Sequence, residues 1–493
     1  QALDTGEKIL VYGDADTDGI CATALLVETL RDLSGQVSYL IPDRTKDGVG
    51  LKTYFLEKAQ QNGVKLIITV DCGITNFEQV EYAKQLGLDV IITDHHEPLD
   101  RLPSALAVLN PKRKDCPYPF KLLSGAGVAY KLAQALAMSK IGLSQSQWHS
   151  VKKDLLGLVL LGTIGDRVPL LGENRIFMVH GLKALAKSTC PWLKAIQKVT
   201  HLDPNNWDIN SILAYFVPLL SAGASDNGHN KSCQLLLSHD QQQAEAWAAE
   251  LYLSSQQWQQ KARQAYSRIR SLIPSDRSAK LLLVTDQEAT IDILGYCASR
   301  LKDTYLRPAI VIGFKGNYAV GEARAPKEFD LMDCLKCCAE LFIDYGGHRS
   351  AAGFLMDSAK LDQLKSQVQN YIQNWHIPLA QLEIEVEMPI TELTSSLITE
   401  IQILAPFGEG NPEPLFLSKD IYVEKSTKGY HNICGSNFIL QADRKAKYRW
   451  LYPLGLPVKV DLVYLINEKG ELVFKDFEPK GYLARKYSGE KLS

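Results

Sequence analysis

The chain has 493 residues, 46% apolar and 22% charged, with a formal net charge of −2. That length exceeds one ordinary hydrophobic core, and no tract is biased enough for disorder, so several folded domains are expected. The balanced charge excludes a protein whose overall field attracts polyanions; any basic surface must be local and offset by acidic groups elsewhere.

In chain order, the first hundred residues alternate short β-branched runs with helical periodicity. Lys8–Tyr12, Val37–Ile41, Lys65–Val70 and Asp89–Thr93 read as strands, and Ile20–Leu33, Lys52–Asn62 and Asn76–Leu86 as helices. The strands are apolar at consecutive positions, as expected when both sheet faces are covered, and the β-α-β rhythm predicts a parallel sheet. Beyond Pro111 the pattern turns helical, over Gly125–Met138 and Lys153–Ile164, and Gln241 to about Leu272 reads as one long helix. A second α/β segment begins near Lys280, with strands Leu281–Val284 and Ala309–Ile312 around a helix Ile291–Leu301. Cys334, Cys337 and Cys338 form the only tight group among ten cysteines. No partner pair follows at zinc-finger spacing, so they read as buried thiols on an amphipathic helix, Leu331 to Phe342. From about Leu415 short alternating aromatic runs suggest a small β-barrel.

Unpaired thiols suit a reducing cytoplasm, and neither a membrane-spanning stretch nor a signal peptide is visible, so a cytoplasmic location is expected. The first residue is Gln1 rather than Met, and a trimmed N-terminal segment is expected ahead of it.

Acidic and histidine residues cluster where the chain leaves strands. Asp14, Asp16 and Asp18 follow the first strand, Asp71 the third, and Asp94, His95 and His96 the fourth, while Asp166 ends an apolar helix. In an open parallel sheet these ends face one crevice. Converging carboxylates repel one another unless a cation neutralises them. A mixed carboxylate and imidazole set suits Mn²⁺ or a similar ion, and a shared carboxylate would hold two ions about 3.5–4 Å apart. Each residue alone has an ordinary reading. Asp18 would cap the following helix, adjacent histidines are commonly surface or core residues, and Asp166 would be a helix-end carboxylate. The Asp-x-Asp-x-Asp-Gly string also opens calcium loops, but Leu25 stands where such a loop needs its bidentate Glu. The joint placement carries the reading.

Together these motifs resemble the DHH phosphoesterase superfamily and, within it, the RecJ family. The matching stretches are Gly-Asp-Ala-Asp-Thr-Asp-Gly at 13–19, Val-Asp-Cys-Gly at 70–73, Thr-Asp-His-His-Glu-Pro at 93–98 and Gly-Thr-Ile-Gly-Asp-Arg-Val-Pro-Leu at 162–170. Gly346-Gly347-His348 resembles the substrate motif of a DHHA1 domain, and residues 110–127 and 405–414 are also RecJ-like. The resemblance implies a parallel-sheet DHH domain over 1–190, a helical connector over 191–275 and a DHHA1 domain over 276–375. A linking segment over 376–414 and an OB-fold over 415–493 would follow.

It further implies Asp14, Asp16, Asp71, His95 and Asp166 as ligands of two divalent ions, Mn²⁺ ahead of Mg²⁺, with Asp71 bridging. His96 would lie beside the scissile phosphate and Asp94 would support it. Arg44, Arg324, Gly346, Gly347 and His348 are candidate phosphate contacts; an ordinary surface arginine explains Arg44 equally well. Arg449 and Trp450 stand in a run, Arg444 to Tyr452, that interleaves charge with aromatic rings, as a stacking surface for single strands or as an ordinary strand. The implied activity is 5′-to-3′ exonuclease action on single-stranded DNA in recombination and repair, with single-strand-binding protein and a helicase as further partners. The alternatives are a phosphodiesterase for short oligonucleotides or RNA, and a DNA-binding scaffold with reduced activity. Departures fall mostly on substrate contacts, while the one at Tyr12 implies weaker binding of one ion. Tyr12 replaces a histidine of many relatives, Leu219, Ser221 and Ala224 replace two arginines and an asparagine, and Glu322 and Ala325 stand where serines are common.

Overall fold

The computed structural model describes residues 1–203, 207–273, 279–373, 375–376, 382–425, 430–433, 439–441, 458–467 and 470–479. The chain divides into two compact units, residues 1–252 with 383–493, and residues 253–382.

The first unit is built on β1 (Lys8–Gly13), α1 (Thr17–Asp32), β2 (Gln36–Leu40), α2 (Thr53–Gln61), β3 (Val64–Val70), α3 (Phe77–Gln85), β4 (Asp89–Thr93) and β5 (Ala107–Leu109). The five strands are all parallel in the order β2-β1-β3-β4-β5. The strand order reverses between β1 and β3, so a crevice opens beyond their carboxyl ends.

Alternate residues of β1 face opposite cores. Ile9 and Val11 join one with α1, α4 (Gly125–Ile141) and α5 (Lys153–Gly165). Leu10 and Tyr12 join the other, with Phe55, Leu56 and Val80 from α2 and α3. All of Leu155–Leu161 is buried, which explains the uninterrupted apolar run of α5 as an internal helix.

Helices α6 (Gly172–Lys187) and α7 (Pro191–Thr200) follow, and α8 (Gln241–Ser271) is the expected long helix. The expectation of a connector over 191–275 needs correction. Trp192, Leu193, Phe216, Leu219, Ala244 and Leu251 lie in the same core as α1 and α5, so residues up to 252 belong to the first unit. Their apolar side chains complete a core that the sheet and α5 leave open.

The second unit holds β6 (Leu282–Thr285), α9 (Ile291–Tyr305), β7 (Ala309–Lys315), β8 (Tyr318–Arg324), β9 (Phe342–His348), β10 (Ala351–Asp357) and α10 (Leu361–Ile372). Its sheet runs β9-β10-β8-β7-β6, parallel only between β6 and β7. The helix expected over Leu331 to Phe342 is shorter, Leu331–Lys336 with a 3₁₀ turn at Ala339–Leu341, because Phe342 must already enter the sheet. Cys334 and Cys338 are buried as expected, but Cys337 is exposed at the helix end.

Short β11 (Val386–Glu387) precedes α11 (Ser395–Gln402) and pairs with β12 (Leu415–Lys425), which follows it. Strands β12, β13 (Tyr430–Ile433), β14 (Ile439–Gln441), β16 (Leu472–Pro479) and β15 (Val458–Ile466) pair in that order. Pairing of β12 with β15 closes five strands into the small barrel that the alternating runs suggested.

If α7 is core rather than connector, Leu193→Ala should cost about 2–5 kcal/mol, as a buried leucine truncation does. Urea unfolding followed by circular dichroism should show Leu193→Ala and Leu161→Ala lowering the same transition. Separate transitions would place α7 outside that core.

Candidate metal centre

Asp14 and Asp16 leave the end of β1. The Asp16 carboxylate accepts the Gly19 N–H at 3.0 Å and caps α1. Asp18, expected as the cap, instead turns to the start of α4, where it accepts the N–H groups of Gly125 at 2.6 Å and Ala126 at 2.9 Å. A buried anion is stabilised at that positive helix end. The approach is close on both sides. A Cβ at Gly162 would lie 2.4 Å from Asp18 Oδ1, and one at Gly125 would lie 2.5 Å from Asp71 Oδ1.

Asp71 follows β3 with φ of 60°, a left-handed conformation that aspartate tolerates better than most residues. Its side chain is buried, and Oδ1 has no hydrogen-bond partner. Asp94, after β4, accepts four hydrogen bonds, from the N–H groups of Ile74, His95 and His96 and from His96 Nδ1 at 2.8 Å. His95 Nε2 lies 3.1 Å from Asp71 Oδ1, 3.5 Å from Asp166 Oδ2 and 3.9 Å from Asp18 Oδ2. Both ring nitrogens of His95 nevertheless lack hydrogen-bond partners. The distance to Asp71 is short but the direction is wrong for a hydrogen bond, as when two ligand atoms face a common point. Buried polar atoms are rarely left so, and a cation at that point would satisfy them.

Burial, reinforced by Asp16, pushes Asp14 up to about 6 and Asp18 to about 7, and burial with Asp18 pushes Asp166 to about 7. Burial and the neighbouring aspartates raise Asp71 well above the usual carboxylate range. Burial is the largest influence on Asp94, but the hydrogen bond and charge of His96, with the N–H groups of His96 and Ile74, together outweigh it and hold the carboxyl low. The same bond raises His96 to about 9, while burial lowers His95.

Ligand atoms within 4.8 Å of one another form three groups: Asp14, Asp16 and Asp71; Asp71, His95 and His96; and Asp18, His95 and Asp166. Asp71 is common to two of them. Six of the seven residues expected at the centre fall in these groups, and Asp94 joins them through its bond to His96. Sequence reading missed Asp18 as a potential ligand, along with the two glycines that admit the carboxylates. The Gly-x-Gly start of α4 was a visible signal, but nothing in sequence tied it to Asp71.

The substrate candidates are more dispersed. Arg44 is exposed after β2, near enough for its charge to pull Asp14 downward against burial. In the second unit, Arg324 Nη1 is held by Glu322 Oε2 at 2.8 Å, and Gly346, Gly347 and His348 lie exposed on the edge strand β9. Arg449 and Trp450, with the rest of Arg444 to Tyr452, lie outside the described residues. Tyr12 is buried, gives its hydroxyl to the Gly50 carbonyl at 3.1 Å and packs edge-on to Phe55. Leu219 is buried in the core, and Ser221 Oγ lies 2.9 Å from Thr17 Oγ1 at the start of α1.

The raised carboxylates retain protons that the unfolded chain releases near pH 4, so metal-free stability should fall as pH rises toward about 7. His95 acts the opposite way, one imidazole against four carboxylates; Asp94 titrates below that window, and His96, raised to about 9, adds to the fall above about pH 6.5. Thermal unfolding of chelator-treated protein should drop in midpoint between about pH 5 and 8, while the increment produced by Mn²⁺ grows. A flat Mn²⁺ increment would mean that cations do not displace these protons.

Residues 8–163 match the model of the DHH family N-terminal domain, and residues 384–437 that of the RecJ OB domain. The chain is 34% identical over 436 residues to the single-stranded-DNA-specific exonuclease RecJ of Bacillus subtilis, which aligns with 87% of this chain. It spans 54%, about half, of that relative's length. With the RecJ of Salmonella typhimurium it shares 32% identity over 84% of this chain and 75% of the relative. The crystal structure of Thermus thermophilus RecJ in complex with Mn²⁺ superposes with a TM-score of 0.80 at 27% identity, over 97% of this chain and 70% of the other. With matched fold, matched domains and this extent of identity, the chain belongs to the RecJ family.

Proposed function

We propose that the chain hydrolyses phosphodiester bonds of single-stranded DNA from the 5′ end, with two divalent cations at the rim of the first sheet. The observation that carries this is the meeting of Asp14, Asp16, Asp71, His95 and Asp166 in ligand groups linked by Asp71 and His95, with a buried Asp71 oxygen that no protein group satisfies. Bound there, Mn²⁺ or Mg²⁺ would activate water and neutralise charge on the phosphoryl group.

The residues divide the remaining work. Asp71, common to two groups, would be shared between two ions; Asp14 and Asp16 would complete one site, and His95, with Asp166 from the group that shares His95, the other. His96, kept charged by Asp94, donates a hydrogen bond to a non-bridging phosphate oxygen. Arg44, exposed near Asp14, offers a second cation to the incoming backbone. Gly346, Gly347 and His348 give the second unit an exposed phosphate-binding edge, and Arg449 and Trp450 add charge and stacking from the C-terminal segment. A single-strand-binding protein and a helicase would deliver the strand in the cytoplasm. Among the described residues no helix is long and apolar enough to cross a membrane.

Short oligonucleotides or RNA form the second reading, because Leu219 and Ala224 supply no cation where relatives carry arginines. Purified protein with Mn²⁺ should be offered 5′-labelled and 3′-labelled strands of DNA and RNA, long and short. Preferential release of label from long 5′-labelled DNA is the expected outcome; preference for dinucleotide-sized or RNA substrates would select the second reading. Asp71→Ala should abolish hydrolysis while leaving single-strand binding largely intact, and full activity in that variant would refute the bridging role.

Glu322 competes for Arg324, an exchange worth little because both side chains are partly exposed. Glu322→Ser should therefore tighten single-strand binding about threefold without altering Mn²⁺ affinity. Fluorescence anisotropy in chelator measures the first and calorimetry the second. Unchanged or weaker DNA binding would remove Arg324 from the substrate contacts.

A further inference from the structure

We infer that Arg175 is a positioning residue for Asp166, acting through a strap formed by residues 403–411. The inference deepens the cation-binding reading of the rim and rests on it.

Asp166 differs from its neighbours in how it is held. Asp16, Asp18 and Asp94 each accept backbone N–H donors. Among the described residues, no hydrogen-bond donor reaches the Asp166 carboxylate, whose nearest imidazole atom is His95 Nε2 at 3.5 Å. Its direction is therefore set by its backbone, which ends α5 and continues through Arg167 at φ of 57°. A left-handed arginine persists only where the following chain holds it.

That hold comes from two sides. Asn174 Nδ2 donates to the Pro169 carbonyl at 2.9 Å, and the Leu170 N–H donates to the Glu409 carbonyl at 2.7 Å. Strap and turn are in close contact. A Cβ at Gly408 would lie 2.6 Å from Leu170 Cδ1, and one at Gly410, with φ of 72°, would lie 2.9 Å from Pro169 Cβ. Arg175, in the first turn of α6, grips the other side of the strap. Its guanidinium donates to the carbonyls of Ala405 at 2.8 Å, Ile403 at 3.2 Å and Pro406 at 3.5 Å. Asn411 Nδ2 donates to the Leu404 carbonyl at 3.0 Å and to that of Pro406 at 2.9 Å. These carbonyls trail the end of α11, where helices leave acceptors unsatisfied, and a planar fork of five donors suits several at once.

The end of α5, the turn after it, the start of α6 and the strap thus close a ring around the backbone of one ligand. The Ala-Pro-Phe-Gly-Glu-Gly-Asn-Pro stretch at 405–412, which lies between α11 and the barrel, supplies the strap. Loss of Arg175 would free the strap and let Asp166 turn away from His95.

The test measures Mn²⁺ binding to the full chain by calorimetry, in Arg175→Ala, Asp166→Ala and the double variant. Arg175→Ala should weaken Mn²⁺ about tenfold, as loss of an outer support of a ligand does. In the Asp166→Ala background it should weaken Mn²⁺ no further, and Arg175→Lys should restore part of the loss. Undiminished affinity in Arg175→Ala, or an equal loss in both backgrounds, would overturn the inference. Absence of Mn²⁺ binding by the unaltered chain would instead overturn the reading of the rim. Should Arg175→Ala fail to fold, Gly410→Ala crowds Pro169 with Arg175 in place and takes its role in the same cycle, with the same outcomes deciding.

Discussion

Everything at the rim answers to one constraint: like charges have been taken out of water and set side by side. Asp14, Asp16, Asp18, Asp71 and Asp166 cannot all remain ionised there without compensation. The fold compensates with peptide dipoles. Asp16 and Asp18 draw on the starts of two helices, and Asp94 collects three backbone N–H groups and an imidazolium. Asp71, at the centre, is left with an unsatisfied oxygen. The sheet topology makes this arrangement possible, because reversal of strand order between β1 and β3 brings two aspartate-bearing ends beside one gap.

Much of this was legible in the sequence, for reasons that differ by residue. Parallel strands covered on both faces write themselves as apolar runs, and Asp89–Thr93 is placed to the residue. Carboxylates at strand ends are visible because β-α-β order forces those ends to one side. Asp18 was misread because a carboxylate near a helix start has two possible donors, its own helix or another. The donor it takes, α4, lies more than a hundred residues later. Short β5 pairs at three positions and leaves too little pattern to detect. Helix α7 and its successors looked like a connector because burial of one face against a distant core has the same periodicity as a solvent-bridging helix.

The departures from the family pattern also acquire physical content. Tyr12 is no weakened ligand: its ring fills the second core and its hydroxyl is spent on the Gly50 carbonyl. Leu219 is a core residue, and Ser221 ties its segment to Thr17, so this stretch has exchanged charge for packing. Glu322 has become the partner of Arg324. The changes leave the carboxylate set whole.

Reliance on peptide groups at the rim has a consequence for ionic strength. Among the described residues no lysine or arginine lies within ion-pair distance of these aspartates, and Asp16, Asp18 and Asp94 are held by N–H groups of the fold, which dissolved ions screen less than they screen exposed charges. A nucleic-acid backbone held by exposed cations, in contrast, is released steeply as salt rises. If exposed cations hold a strand as proposed, concentrated salt should release it while the carboxylate rim stays assembled.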